Sequence, residues 1–304
     1  MKKGIYFLLL IVYLLDSNAQ AQSRSQVKAD KYFSQYSYAL AVQQYQHVRV
    51  KNIEIYRKMA QCQVQLENYA MADSMWRQVC GFSDATAQDF LSYSMVLKIN
   101  GNIEKSDQCL KKANALKPND ERIKNFISSN DEVKKLAKDN GRYVLSHLNM
   151  NTADQDFGPI WMDSSLVFSS TRDGVFPVKS RWNGNGKPFL DLYVGKLNKQ
   201  DQVTEIRPFA KVTKTSFHDG PIFINRKGDH GVFTRNNGNK KKKDSLGVLE
   251  LFEISKENGK WGNPIPLAYN NENYSCGHGT LTPDGKVMYF VSDMPGGLGG
   301  TDID

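Results

Sequence analysis

The sequence predicts an α + β multidomain protein, an α-solenoid of paired helices followed by an incomplete β-propeller. Three observations carry that expectation. Residues 24–139 are rich in Gln, Lys, Ala, Met and Leu, with Pro118 as their only proline. Within that stretch the apolar pattern repeats, and placing Ala72 over Ser106 gives a period of 34 residues. From Arg142 onward, strand-like runs alternate with clusters of Gly, Asn, Asp and Pro, and a Gly-centred string recurs about every 60 residues. The expected domains are a signal peptide at 1–21, a helical domain at 22–140 and β-propeller blades, about three and incomplete, at 141–304.

The amino terminus carries the order of an export signal. Lys2 and Lys3 precede an apolar run from Gly4 to Leu15, and Ala19-Gln20-Ala21 supplies the small-x-small cleavage pattern. A membrane-spanning helix needs about 20 apolar residues, which this run does not reach; a short membrane anchor is the alternative reading. The expected location is exported and periplasmic. Four cysteines in such a compartment raise the question of disulfides. Cys62 and Cys80 stand at different distances from the turn near Asn68, an offset of roughly 10 Å along a helix, too far to bridge. The four, Cys109 and Cys276 included, are read as mostly free, packed thiols.

The formal charge is +8 at pH 7, enough for a nucleic-acid binder. Export and the even spread of the charge argue against nucleic acid as a partner. The one dense run, Lys240–Lys243, lies between strand-like segments and reads as a solvated loop tip, with an anionic surface or polymer as the other reading.

In the register of the helical repeat, Tyr56, Met59, Ala60, Ala72, Trp76 and Val79 align with Phe90, Tyr93, Ser94, Ser106, Leu110 and Ala113. Small residues stand where paired helices cross, and Asn68-Tyr69 and Gly101-Asn102 stand at the turns. An earlier unit uses Ala29, Tyr32, Ala41, Tyr45 and Val48. Glu121–Asn140, with Ile123, Ile127, Val133 and Leu136, reads as a shortened closing pair with a polar outer face. This alternation of large and small positions, with Pro118 just after a second helix, resembles the tetratricopeptide repeat. The named positions are core; a peptide or a partner's helix would sit in the concave groove, and a structural spacer is the alternative.

In the second half, Asp156-Phe157-Gly158-Pro159-Ile160 recurs as His218-Asp219-Gly220-Pro221-Ile222 and, more loosely, as Gly277-His278-Gly279-Thr280-Leu281. Each string leads through an aromatic-rich strand and a strand such as Asp191–Val194 or Leu249–Ile254 to a Pro-containing edge, Arg207-Pro208-Phe209 or Trp261–Ile265. Four strands per unit, repeated radially, is a blade pattern. In Pro283-Asp284-Gly285, Pro presets φ, Asp caps the turn and Gly accepts positive φ.

Together with Val167–Arg172 and Ser292–Ile303, these strings resemble exported proteins of the outer-membrane-protein-A family. Those proteins join tetratricopeptide repeats to a Pro-Asp-type (WD40-like) propeller, and some serve type IX secretion. The resemblance implies partners among other cell-envelope proteins, and peptidoglycan through a carboxy-terminal domain that the chain lacks. The chain stops at Asp304, where a further strand is due, and is expected to be the amino-terminal portion of a longer protein.

No catalytic motif emerges. HExxH, GxSxG and Walker patterns are absent, and Pro295–Gly300 lacks the Lys-Ser/Thr ending of a phosphate loop. No cofactor is expected. Asp156, His218 and His278 hold near-equivalent places at the start of inner strands and are the channel-facing positions, suited to a metal or to acid–base work or to holding strand geometry through backbone hydrogen bonds. The expected function is a non-enzymatic interaction or scaffold protein of the cell envelope, accessory to outer-membrane assembly or type IX secretion. The alternative is a propeller-containing hydrolase or carbohydrate-binding protein whose catalytic domain is missing.

Overall fold

The computed structural model describes residues 23–128, 141, 143–172, 181–200, 202–236 and 247–304. The signal peptide read at 1–21, Val133 and Leu136 of the closing pair, and the Lys240–Lys243 run lie outside those residues. The chain divides into two compact units, Met1–Arg142 with Asn183–Gly186, and Tyr143–Trp182 with Lys187–Asp304.

The described part of the first unit holds α1 (Arg24–Ser34), α2 (Tyr38–Gln46), α3 (Ile53–Gln65), α4 (Tyr69–Val79), α5 (Ala87–Ile99), α6 (Ile103–Leu116) and α7 (Glu121–Ser128). Local chemistry sets where these helices start. Ser23, Asn52 and Asn68 each accept a hydrogen bond from a backbone N–H of the first turn that has no partner within its helix. At α5 the cap is reciprocal. The Thr86 hydroxyl accepts from Asp89 N, and the Asp89 carboxylate accepts from Thr86 N at 2.7 Å.

The first helix of each pair ends the same way. Tyr36, Glu67 and Gly101 take left-handed φ values of 56°, 57° and 75°. The next residue's N–H then reaches back to Tyr32 O, Gln63 O and Leu97 O at 2.8–2.9 Å, which uses up carbonyls at the helix end and reverses the chain. The pairs α1–α2, α3–α4 and α5–α6 follow from these turns.

The aligned small residues sit where paired helices meet. Ala60, Ala72, Ser94 and Ser106 are all buried, and Ser106 Oγ donates to Ser94 O at 2.8 Å across the α5–α6 crossing. Between pairs, Arg57 of α3 forks onto both carboxylate oxygens of Asp89 at 2.8 and 2.7 Å. Burial opposes the charge on Asp89, but Arg57 and Thr86 outweigh it and hold the carboxyl below its ordinary range.

The second unit contains three antiparallel sheets. The first is β1 (Asp156–Met162), β2 (Ser165–Ser170), β3 (Asp191–Leu197) and β4 (Val203–Pro208) in sequence order. The second has β5 (Asp219–Ile224), β6 (His230–Asn236), β7 (Leu249–Glu257), β8 (Lys260–Trp261) and β9 (Ile265–Pro266), with β8 and β9 both paired to β7. The third has β10 (Cys276–Leu281), β11 (Met288–Ser292) and β12 (Asp302–Ile303). Interior strands such as β2 and β6 are buried at successive residues, without alternation, because both faces are covered. Val167, Leu192, Ile222 and Phe233 pack together between the first and second sheets, and Val232, Leu251, Cys276 and Phe290 between the second and third.

The recurring Gly string explains how the sheets come so close. The first strand of each sheet shifts register at it, between Phe157 and Ile160, Asp219 and Ile222, and Gly277 and Thr280. A Cβ on Gly158 would lie 2.8 Å from Pro221 Cβ, and one on Gly220 would overlap Ser169 Oγ. Both glycines also have positive φ, 61° and 118°, so space and backbone conformation require the same residue.

The expected architecture of a tetratricopeptide α-solenoid leading into an incomplete β-propeller is corrected by this topology. Among the described residues, seven α-helices precede three separate antiparallel sheets of four, five and three strands: a helical unit followed by a β-rich one. A 34-residue alignment records where paired helices cross closely, and any tight helix pair places small residues there. A solenoid also needs one continuous stacked core, whereas the buried helical residues form two clusters, one built on α1–α3 and one on α3–α7. The sheets likewise differ in strand number, where equal blades would not.

The Arg57–Asp89–Thr86 junction gives a direct test of helical packing. Asp89→Ala leaves Arg57 half-buried without its fork and removes the carboxylate half of the α5 capping box, at a cost of about 3 kcal/mol. Urea unfolding followed by circular dichroism at 222 nm measures it; a loss below about 0.5 kcal/mol, the range of ordinary surface changes, would show that the junction is not coupled to folding.

Candidate functional site

The three strand-start positions do not form one site. Among the described residues, no hydrogen bond or ion pair joins any two of them, and no group of three or more His, Cys, Asp or Glu side chains is placed to hold a metal.

Asp156 opens β1 and pairs with Arg172 at 2.6 Å while accepting from the N–H and hydroxyl of Thr152. Burial alone would raise its carboxyl; Arg172, Ser170 and Thr152 outweigh that and hold it at about 2. The Arg172 guanidinium stacks 4.8 Å from the Phe168 ring and 5.3 Å from that of Tyr193.

His218 lies just before β5, its ring flanked by Trp182 and Phe189 at centroid distances of 5.0 and 4.8 Å. Leu190 N–H donates to Nδ1 at 3.1 Å, while Nε2 is buried with no hydrogen-bond partner among the described residues. Burial lowers the imidazole pKa to about 4. His218 is therefore neutral at physiological pH. His278 is exposed, takes a left-handed φ of 55°, and its backbone N–H donates to Thr234 Oγ1 at 2.9 Å.

String alignment sets His218 opposite Asp156, but the structure gives that role to Asp219. Asp219 accepts from the Thr215 N–H and hydroxyl, four residues before it, and pairs with Arg235, sixteen residues after it, at 2.5 Å. Thr152, Asp156 and Arg172 have the same two spacings. Arg235 also stacks on two rings, Phe233 and Phe252, at 5.1 and 4.8 Å. The Thr-x3-Asp…Arg spacing was the signal that alignment on the glycine missed, because Asp156 stands two residues before its glycine and Asp219 only one. In the third sheet the pair becomes Cys276 and Ser292, also sixteen apart, with Sγ and Oγ at 3.7 Å. Asp219 is fully buried, and burial pushes its carboxyl up to about 6 against the pull of Arg235 and Thr215.

The helical unit carries a different kind of feature. A cavity of about 650 Å³ opens between α3, α4, α5 and α7, walled by Val64, Tyr69, Trp76, Met95, Ile99 and Phe126. Met95 and Ile99 are exposed at 41% and 58%, although they stand one turn apart on the same helix face. Trp76 is a core residue, yet its indole Nε1 is buried with no acceptor among the described residues, an uncommon state for a buried donor. The sequence held a sign of this. Helix α5 is apolar on more than one face, which is the pattern of a helix covered on both sides, but the repeat alignment accounts for only Phe90, Tyr93 and Ser94.

All four cysteines are free. Burial pushes the Cys62 and Cys80 thiols up to about 12, so neither is a nucleophile at neutral pH. Comparison with protein-family models and with curated proteins gives no match for this chain.

The buried, neutral His218 gives a pH signature with a fixed sign. Its folded pKa lies below the unfolded value of about 6.5, so its contribution is present above pH 6.5 and is lost as pH falls toward 4. The urea midpoint of the wild type therefore falls relative to that of His218→Gln across that window. An unchanged slope in the variant would rule out a buried neutral imidazole.

Proposed function

We propose that this chain is an exported, non-enzymatic interaction protein of the cell envelope, accessory to outer-membrane assembly or secretion, whose helical unit docks an apolar segment of a partner protein. The observation that carries the reading is the groove beneath Met95 and Ile99. Its walls are apolar, its volume of about 650 Å³ lies within the range of well-formed binding pockets, and the Trp76 N–H lacks an acceptor among the described residues. Such a donor beside an apolar wall favours an occupant that brings apolar side chains together with an exposed carbonyl or side-chain oxygen. An amphipathic helix near its carboxy end, where carbonyls are unpaired, has that chemistry. Export rests on Lys2, Lys3, the apolar run to Leu15 and Ala19-Gln20-Ala21.

The test selects displayed 15-residue peptides on the mature chain and counter-screens them on Met95→Glu/Ile99→Glu, two exposed positions. The reading expects enriched peptides with apolar residues at helical spacing, at least tenfold weaker on the variant, while the thermal midpoint of the unliganded chain is unchanged. Peptides that bind both forms equally would overturn it. A variant markedly less stable on its own would show that the groove is covered within the chain.

A further inference from the structure

The β-rich unit contains a second cavity, unrelated to the helical groove, of about 420 Å³. It lies between the end of the first sheet and the outer strands of the second. Four cations converge on it: Arg207 of β4, Lys211 of the short 3₁₀ turn Lys211–Thr213, Lys256 of β7 and Lys260 of β8. Among the described residues, no carboxylate lines the cavity. None of the four makes an ion pair with a described carboxylate, although Lys196 and Glu205 beside them on β3 and β4 do pair, at 2.7 Å.

The floor is aromatic. Phe209 and Trp261 meet at a centroid distance of 5.0 Å, and Lys256 Nζ lies 5.0 Å from the Trp261 ring. The cation–π contact holds one ammonium at the wall, while Arg207, Lys211 and Lys260 are exposed and free to turn inward. A concave site lined by a single sign of charge focuses its field on a ligand of the other sign. Like charges gathered without counter-ions repel one another, so a bound anion relieves the arrangement that the fold imposes.

We propose that this cavity binds a phosphate-bearing ligand with at least two anionic groups. The planar fork of Arg207 takes one group in two hydrogen bonds, and the three ammonium groups neutralise the rest as point charges. The volume accommodates a diphosphate or a phosphorylated head group and is too small for a duplex. Phosphate from a free metabolite and phosphate from a lipid head group present the same chemistry to these four residues.

The experiment titrates the mature full-length chain with inorganic pyrophosphate and, separately, with vesicles of phosphatidylglycerol in phosphatidylcholine. Binding is read by calorimetry and by tryptophan emission. The proposal expects pyrophosphate to bind, with Arg207→Ala/Lys211→Ala/Lys260→Ala weakening it at least tenfold; these are exposed positions and the thermal midpoint should hold. Lys256→Gln should weaken it and also alter the Trp261 emission change. Pyrophosphate that blocks vesicle binding assigns the site to a lipid head group, and vesicles that do not bind assign it to a free phosphate ligand. Three results would overturn the proposal: no binding of pyrophosphate or vesicles, citrate binding more tightly than pyrophosphate, or affinity that follows alanine replacement of Lys240–Lys243 instead of the cavity residues.

Discussion

A buried carboxylate joined to an arginine that is itself stacked on two aromatic rings holds each of the first two sheets at its opening strand. Asp219 is fully buried and Arg235 nearly so, with side-chain exposures of 0% and 14%. Neither charge would remain there alone, because taking a lone ion out of water costs several kcal/mol. The arrangement stands on its neighbours: Thr215 donates twice to the carboxylate, and Phe233 and Phe252 give the guanidinium a π face, while Arg235 Nη2 is buried with no hydrogen-bond partner among the described residues. The first strand of the sheet is thereby tied to the second at the point where the glycine shift would otherwise let it slip. Asp156 and Arg172 repeat the device, and the third sheet has the uncharged Cys276 and Ser292 in its place.

The two carboxylates differ in a way that follows from their surroundings. Asp156 keeps a little access to solvent, and its hydrogen bonds hold it ionised down to about pH 2. Asp219 has none, and Asp191 nearby adds a like charge, so burial takes it up to about 6. Equal partners and unequal burial give opposite shifts. The folded form of Asp219 thus retains a proton between about pH 4 and 6 that the unfolded chain has lost. Its contribution is present below pH 4 and is lost as pH rises through 6, opposite in sign to that of His218.

Much of the local structure was legible in the sequence. Core positions followed from spacing, since Ala60, Ala72, Ser94, Leu110 and Ala113 are all buried, and Pro283-Asp284-Gly285 turns as its residues dictate, with Lys286 N donating to Asp284 and Gly285 at φ 71°. Higher-order arrangement was not. A period records which residues face a neighbouring helix and is silent on how successive pairs stack, so the solenoid and the equal blades did not follow from it. The Asp219–Arg235 pair was hidden because alignment on glycine shifts it by one place. The groove at Trp76 and the cation cluster at Trp261 were illegible for a simpler reason: each is assembled from elements far apart in sequence, and a single chain does not mark which surfaces meet.

The coupling between Asp219 and Arg235 tests the account most directly. A double-mutant cycle with Asp219→Leu, Arg235→Met and the two together, followed by urea unfolding at pH 7, isolates it from the cost of each truncation. Either single change is expected to cost about 3–5 kcal/mol, because it strands a buried charge, and the double variant to be far less impaired than the sum of the two. Additive losses, with the double variant as unstable as both singles combined, would contradict it.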